Sequence, residues 1–246
     1  MIDDSSRPPA DRGADATRGH LLPPADGQRS VLVLEPAAPR AIEWTADQLV
    51  AGGVVAFPTD TVYALAASLA HPAALQRIFA IKGRPVEKPL PILLASADDL
   101  EQVAVAVDTR VLLLLDRFWP GPLTVVVPAR AGMPAEVLGP DHTIGARVPN
   151  HFLALEMIER AGGAIAATSA NRSDETPLVR GSEVAAHLGD AIDVVLDGGV
   201  APGGVPSTVI AFDQDQLRIL RDGAIPRDQL FAAWQEIIEE KFTAEI

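Results

Sequence analysis

Short apolar runs without a polar break, each bounded by glycine or proline or by a switch to polar residues, constrain this chain more than any other feature. "GGVVAF" (52–57), "LPILLA" (90–95) and "AIAAT" (164–168) are the clearest. A strand with one face in water alternates apolar and polar side chains, so runs like these predict strands covered on both faces. They alternate with stretches of helical period. Strands are expected over 31–34, 53–57, 90–95, 122–127, 143–148, 164–168, 192–196, 207–212 and 217–221. Helices are expected over 40–51, 72–82, 97–105, 108–118, 150–161, 181–188 and 226–241. Only "DQDQ" separates 207–212 from 217–221, which predicts an antiparallel pair. The fold class is therefore α/β: a twisted mixed β-sheet flanked by helices, in a single domain spanning 30–240. Residues 1–29, rich in Pro, Gly, Asp, Arg and Ala and lacking periodicity, read as a disordered N-terminal extension, and 241–246 as a C-terminal tail.

A chain of 246 residues can bury a core without a metal or disulfide staple. It has no cysteine, which excludes thiolate catalysis and Cys-ligated zinc and is compatible with the cytoplasm, the expected location. The formal charge of −13 would repel a phosphate backbone unless positive charge is gathered locally. An extended nucleic-acid surface is therefore not expected, while a small cationic pocket for a phosphorylated ligand is. No apolar run reaches the ~18–20 residues of a membrane span. The N-terminus lacks the apolar centre of a secretory signal.

Lysine is concentrated in one place. Two of the three lysines, Lys82 and Lys88, stand in "IKGRPVEKPL" (81–90) with Arg84 between them. The same letters also stop a helix: Gly83 can supply a left-handed cap and Pro85 blocks propagation. Other unusual content sits where strands end: "FPTDTVYAL" (57–65), "WPGPLTVVV" (119–127), "TIGARVPNH" (143–151), "AATSANRS" (166–173), "GVPSTVI" (204–210) and "ILRDGAI" (219–225). Ligands of α/β sheets bind in crevices at strand ends, and small residues let backbone N–H groups approach an anion. Each loop also has a structural reading. Asp60 and its threonines suit a turn, Ser169 and Asn171 a helix cap, Arg147 and Arg221 solvated strand ends. Common catalytic signatures (GxxxxGK[ST], GxSxG, HExxH, and GxGxxG after a strand) are missing, and the histidines at 20, 71, 142, 151 and 187 show no ligand spacing. No metal-ligating residues are assigned.

Taken in order, "PTDTVYAL", "KGRP…KPL", "WPGPLT", "ARVPNH", "TSAN", "PSTVI" and "LRDGAI" resemble the YrdC-type L-threonylcarbamoyladenylate synthase family over residues 40–225. The family pairs Lys-x-Arg with Ser-x-Asn, here Lys82-Gly83-Arg84 and Ser169-Ala170-Asn171. The resemblance implies the YrdC-like fold in its short, single-domain form. It also implies condensation of L-threonine, bicarbonate and ATP, brought with Mg2+, to threonylcarbamoyl-AMP and pyrophosphate. A tRNA threonylcarbamoyltransferase would take that product to adenosine 37 of tRNA.

The resemblance further implies roles for individual positions. Lys82, Arg84, Ser169 and Asn171 would form the catalytic set. Arg84, Lys88, Thr143, Ala167, Ser169 and Arg221 would bind ATP. Thr61, Arg147 and Ser207 would bind threonine, with Thr59 and Thr124 as further lining. Three departures stand out: Ala64 replaces the usual glycine of "PTDTVYGL", Leu93 stands where some members carry a threonine-contacting histidine, and Arg172-Ser173-Asp174 replaces x-Ser-Gly. An RNA-binding protein of the same fold, or a related enzyme forming a carbamoyl-adenylate with another acceptor, are the alternative readings.

Overall fold

The computed structural model describes residues 19–21, 31–38, 40–214 and 216–244. Its elements run β1 (Gly19–Leu21), β2 (Leu32–Leu34), α1 (Ala41–Val50), β3 (Val55–Pro58), β4 (Tyr63–Ser68), α2 (Pro72–Lys82) and β5 (Ile92–Leu94). They continue with α3 (Leu100–Val103), α4 (Thr109–Phe118), β6 (Leu123–Pro128), β7 (Thr143–Arg147), α5 (Phe152–Arg160) and β8 (Ala164–Ser169). The last are α6 (Gly181–Leu188), β9 (Val194–Leu196), β10 (Thr208–Asp213), β11 (Gln216–Arg221) and α7 (Arg227–Ala244).

All described strands join one mixed sheet in the order β1-β2-β9-β3-β4-β8-β5-β7-β6-β10-β11. The pairs β2–β9, β3–β9, β5–β7 and β6–β10 are parallel; the other neighbours are antiparallel, including β10–β11 as expected. Both faces are covered, which explains the unbroken apolar runs. On one face Leu49 of α1 and Met157 and Ile158 of α5 pack over Val55, Phe57, Ile165 and Val194. On the other, Leu75 and Ile78 of α2 and Leu114 of α4 share a core with Tyr63, Leu65, Ile92 and Val125.

Four expectations are corrected. Residues 63–68 form a central strand between β3 and β8, although Tyr-Ala-Leu-Ala-Ala-Ser is poor in β-branched residues and follows a turn-rich stretch. Hydrogen-bonding partners on both sides override weak intrinsic preference there. The helix expected over 97–105 shrinks to α3, because Ala104 turns extended and bridges to Ala129. Gly19–Leu21, inside the stretch read as disordered, pairs antiparallel with β2; residues 1–18 and 22–29 lie outside the described residues. Finally α7 runs on to Ala244, beyond the expected end at 241. No described helix is long and apolar enough to cross a membrane.

Candidate active site

The end of α2 sets the first wall. Gly83 closes the helix at φ 59°, with its N–H on Ala80 O (3.3 Å) and the Arg84 N–H on Phe79 O (3.0 Å). An added Cβ there would touch nothing within 4 Å, so glycine is favoured by backbone conformation and not by crowding. This cap turns Lys82 inward, where it is only 4% exposed. Its Nζ donates to Ser169 O (2.6 Å), Asn171 O (2.6 Å) and Asn171 Oδ1 (3.3 Å), which satisfies the three N–H groups of an ammonium. Burial, and then the charge of Arg84, pull its pKa from 10.5 to about 8, while Glu175 opposes the shift. Asn171 Nδ2 in turn donates to Arg172 O (2.9 Å) and Glu175 O (2.7 Å), and the Ser173 N–H to Lys82 O (2.8 Å). "KGR" and "TSAN" are thus one hydrogen-bonded unit.

Beside this unit lies a cavity of about 160 Å³, lined from adjacent strands: Ala64 (β4), Ala167 and Ser169 (β8), Leu93 (β5), Arg147 (β7) and Thr124 (β6), with Ser207 just before β10. Strands β4, β5 and β7 run one way and β8, β6 and β10 the other, so the start of β4 and the end of β8 stand at one edge of the sheet, and the end of β7 with the starts of β6 and β10 at the opposite edge. The strand-end crevice expected from the loops is therefore built from both kinds of strand end. Thr59, Thr61, Arg84 and Arg221 complete the expected residues that line it.

Three guanidiniums face this space, each aimed by backbone carbonyls. Arg84 donates from Nε to Lys88 O (2.7 Å) and from Nη2 to Pro89 O (2.9 Å). Arg221, exposed along much of its length, donates from Nη2 to Ser207 O (2.7 Å) and Ser207 Oγ (3.1 Å). Burial lowers the pKa of both heads, helped at Arg84 by the charge of Arg221, and no carboxylate offsets either shift. Arg147 is buried and donates from Nε to Gly121 O (2.9 Å), from Nη1 to Thr61 Oγ1 (3.1 Å) and from Nη2 to Asp60. Burial pulls its pKa down while Asp60 opposes that. Around them the hydroxyls pair off, Thr59 Oγ1 with Thr61 Oγ1 at 2.9 Å and Thr124 Oγ1 with Ser207 Oγ at 2.8 Å.

Four expected site residues lie off this lining. Lys82 and Asn171 stand behind the wall and hold it. Lys88 is exposed: it contributes its carbonyl to Arg84, and its ammonium sits 3.8 Å from Asp174. Thr143 opens β7 with its hydroxyl on Pro140 O (2.7 Å). Asp60, expected as turn chemistry, is not itself in the cavity lining but pairs with Arg147, which is. The signal for it was the single acid among three hydroxyl-rich neighbours. His151 carries no signal in the sequence that sets it apart from the other four histidines. Its Nδ1 is buried without a partner, and burial lowers its pKa against the opposing charge of Asp60. Among the described residues no group of three or more His, Cys, Asp or Glu stands close enough to hold a metal ion.

Residues 47–223 match the Sua5/YciO/YrdC family, described as telomere recombination. The chain belongs to this family. It is 40% identical over 179 residues to the threonylcarbamoyl-AMP synthase of Pyrococcus abyssi, covering 73% of this chain and 53% of that one. With the threonylcarbamoyl-AMP synthase of Bacillus subtilis it shares 37% identity over 180 residues, 73% of this chain and 52% of that one. The chain thus spans about half the length of these curated relatives. The crystal structure of P. abyssi Sua5 complexed with L-threonine superposes with a TM-score of 0.77 at 36% identity, covering 82% of this chain and 59% of that one. Against the Sua5/YciO/YrdC pattern, Ala64 is not among the residues with positive φ, so the missing glycine costs the backbone nothing. Leu93 lines the cavity beside Ala167. Asp174, where the pattern has glycine, adopts φ 66°.

Proposed function

We propose that this chain is a threonylcarbamoyl-AMP synthase acting in the cytoplasm: L-threonine, bicarbonate and ATP give threonylcarbamoyl-AMP, pyrophosphate and water. A tRNA threonylcarbamoyltransferase then uses the product for N6-threonylcarbamoyladenosine formation at position 37. The observation that carries this reading is the cavity, lined by three arginines and several hydroxyl residues but, among the described residues, by no cysteine, histidine, lysine or carboxylate that could serve as, or activate, a nucleophile. The reaction needs none. The threonine nitrogen captures carbon dioxide from bicarbonate to give a carbamate, whose oxygen attacks the α-phosphorus as pyrophosphate leaves.

What the protein must supply is charge neutralisation, alignment and dryness. Arg84 and Arg221 carry fork-shaped donors that have no carboxylate partner among the described residues, which suits a triphosphate. Ser169, Ala167 and Thr143 frame the nucleotide, and Lys88 adds a point charge once it leaves Asp174. Lys82 and Asn171 act as positioning residues that hold the Ser169 carbonyl and its loop. Arg147, Thr61 and Ser207 take the threonine, with Thr59 and Thr124 behind them. Mg2+ belongs to the MgATP substrate: the only carboxylate assigned to the site, Asp60, is already tied to Arg147, so the metal's ligands come from phosphate and water.

Incubation with MgATP, bicarbonate and L-threonine, followed by mass spectrometry, should detect threonylcarbamoyl-AMP. Pyrophosphate released without dependence on threonine would move the assignment to another acceptor, and tight salt-sensitive tRNA binding without turnover would move it to an RNA-binding role. Arg84→Ala should weaken ATP binding by about 1.5–3 kcal/mol, the range for a hydrogen bond to a charged group. Unchanged ATP affinity in the folded variant would remove Arg84 from the phosphate site.

A further inference from the structure

We infer that Asp60 is a positioning residue for the carboxylate-binding arginine of the site, an inference that rests on the proposed threonine reading and deepens it. Asp60 and Arg147 form an ion pair whose side chains are 13% and 7% exposed. A guanidinium buried to that degree without a counter-charge is strongly disfavoured, and burial lowers the Arg147 pKa. Asp60 is the acid that opposes this shift, so it offsets the cost of burying a charge that arginine does not give up.

It also sets direction. A guanidinium has five N–H groups. Nε is directed to Gly121 O, one Nη1–H to Thr61 Oγ1 and one Nη2–H to Asp60. By that count one N–H on each terminal nitrogen is left, the number a carboxylate takes in a two-point contact. With Asp60 gone, a terminal nitrogen would lose its anchor and the plane of the head would be free to turn.

The turn that presents Asp60 is held on several sides. Thr59 Oγ1 donates to Val62 O (2.7 Å) and accepts from the N–H groups of Thr61 (3.2 Å) and Val62 (3.3 Å). The Gly204 N–H donates to Thr61 O (2.7 Å). A Cβ on Gly203 would stand 2.5 Å from Asp60 O, so the 203–204 backbone presses directly on the turn. A solvated turn acid needs no such bracing. A side chain that aims a buried arginine does.

The test compares Asp60→Asn, which keeps an acceptor oxygen but no charge, and Asp60→Ala with wild type. Threonine and ATP binding are measured by calorimetry, and unfolding by thermal melts. Asp60→Ala should weaken threonine binding at least tenfold and leave ATP binding within twofold, with Asp60→Asn intermediate. Adding Arg147→Met to Asp60→Asn should lower Tm by less than the two single losses added together, since both remove one interaction. Threonine binding that is unchanged or tighter in Asp60→Asn would overturn the inference and make Asp60 a mere competitor for Arg147. Additive Tm losses would overturn it too, whatever the ligand. Failure of the wild-type protein to bind threonine would instead sink the functional reading, and the Tm cycle would then judge the Asp60–Arg147 pairing on its own.

Discussion

Lys82 departs far from ordinary behaviour, with its pKa drawn down to about 8 by burial. The unfolded chain keeps the ordinary 10.5, so between these values it holds more protons than the folded protein. Stability then rises with pH across that window, because the sign follows the excess of protons in the unfolded state. Below about pH 8 the cost of burying the charged ammonium is present in full; it fades as pH climbs toward 10.5. Urea unfolding from pH 7 to 10.5 should therefore show a stability increment in wild type that is missing in Lys82→Met. The variant itself should be less stable at neutral pH, since it strands the Ser169 and Asn171 carbonyls without a donor. An identical pH slope in both proteins would show that Lys82 titrates normally. Much of this was legible: two of three lysines in one decapeptide marked the place. That Lys82 faces inward while Arg84 faces the cavity was not, because a helix cap fixes where the chain turns but not which side chain meets a loop 87 residues away.

At the scale of elements, glycine makes close contacts that its neighbours in sequence do not announce. A Cβ on Gly223, in "RDGAI", would lie 2.3 Å from Ser207 C and 2.4 Å from Ser207 O. The two segments are also tied by the Ala224 N–H on Pro206 O (3.0 Å) and by Thr208 Oγ1, which donates to Ile225 O (2.9 Å) and accepts the Ile225 N–H (2.9 Å). Backbone cannot give way there as a side chain can. Gly223→Ala should cost about 1–3 kcal/mol by overpacking, measured by urea unfolding, and should weaken both ligands because it displaces Ser207 and with it Arg221. Gly83→Ala, where only the left-handed φ is strained, should cost about 1–2 kcal/mol and leave Ser207 in place. Equal ligand affinities in Gly223→Ala and wild type would argue against Ser207 as a site residue. Strand β4 teaches the complementary lesson. Its alanines carried no strand signal, yet it sits between β3 and β8 in the middle of the sheet, since pairing on two edges outweighs composition.

For the whole molecule, strand order decides what is near what. β1 lies at the sheet edge against β2, with β9 and β3 between that pair and β4, the first strand of the cavity. Removal of residues 1–29 should therefore leave turnover intact and lower Tm by only a few degrees, read from a steady-state assay and a thermal melt. A large loss of turnover would bring the N-terminal stretch into the site. Within a chain of formal charge −13, the cavity brings together three arginines, Arg84, Arg147 and Arg221, that carbonyls hold in place, an arrangement for a small anion.

The sequence by itself determined the covered sheet, the helix stop at Gly83 and the family, because apolar period, cap chemistry and ordered motifs are local properties of the chain. It also carried most of the residues that line the cavity. Tertiary structure alone decided that Lys82 holds a wall while Arg84, Arg147 and Arg221 face the space, and that Asp60 pairs with Arg147. Those choices depend on contacts between residues 87 apart, brought together by a strand order that does not follow the chain.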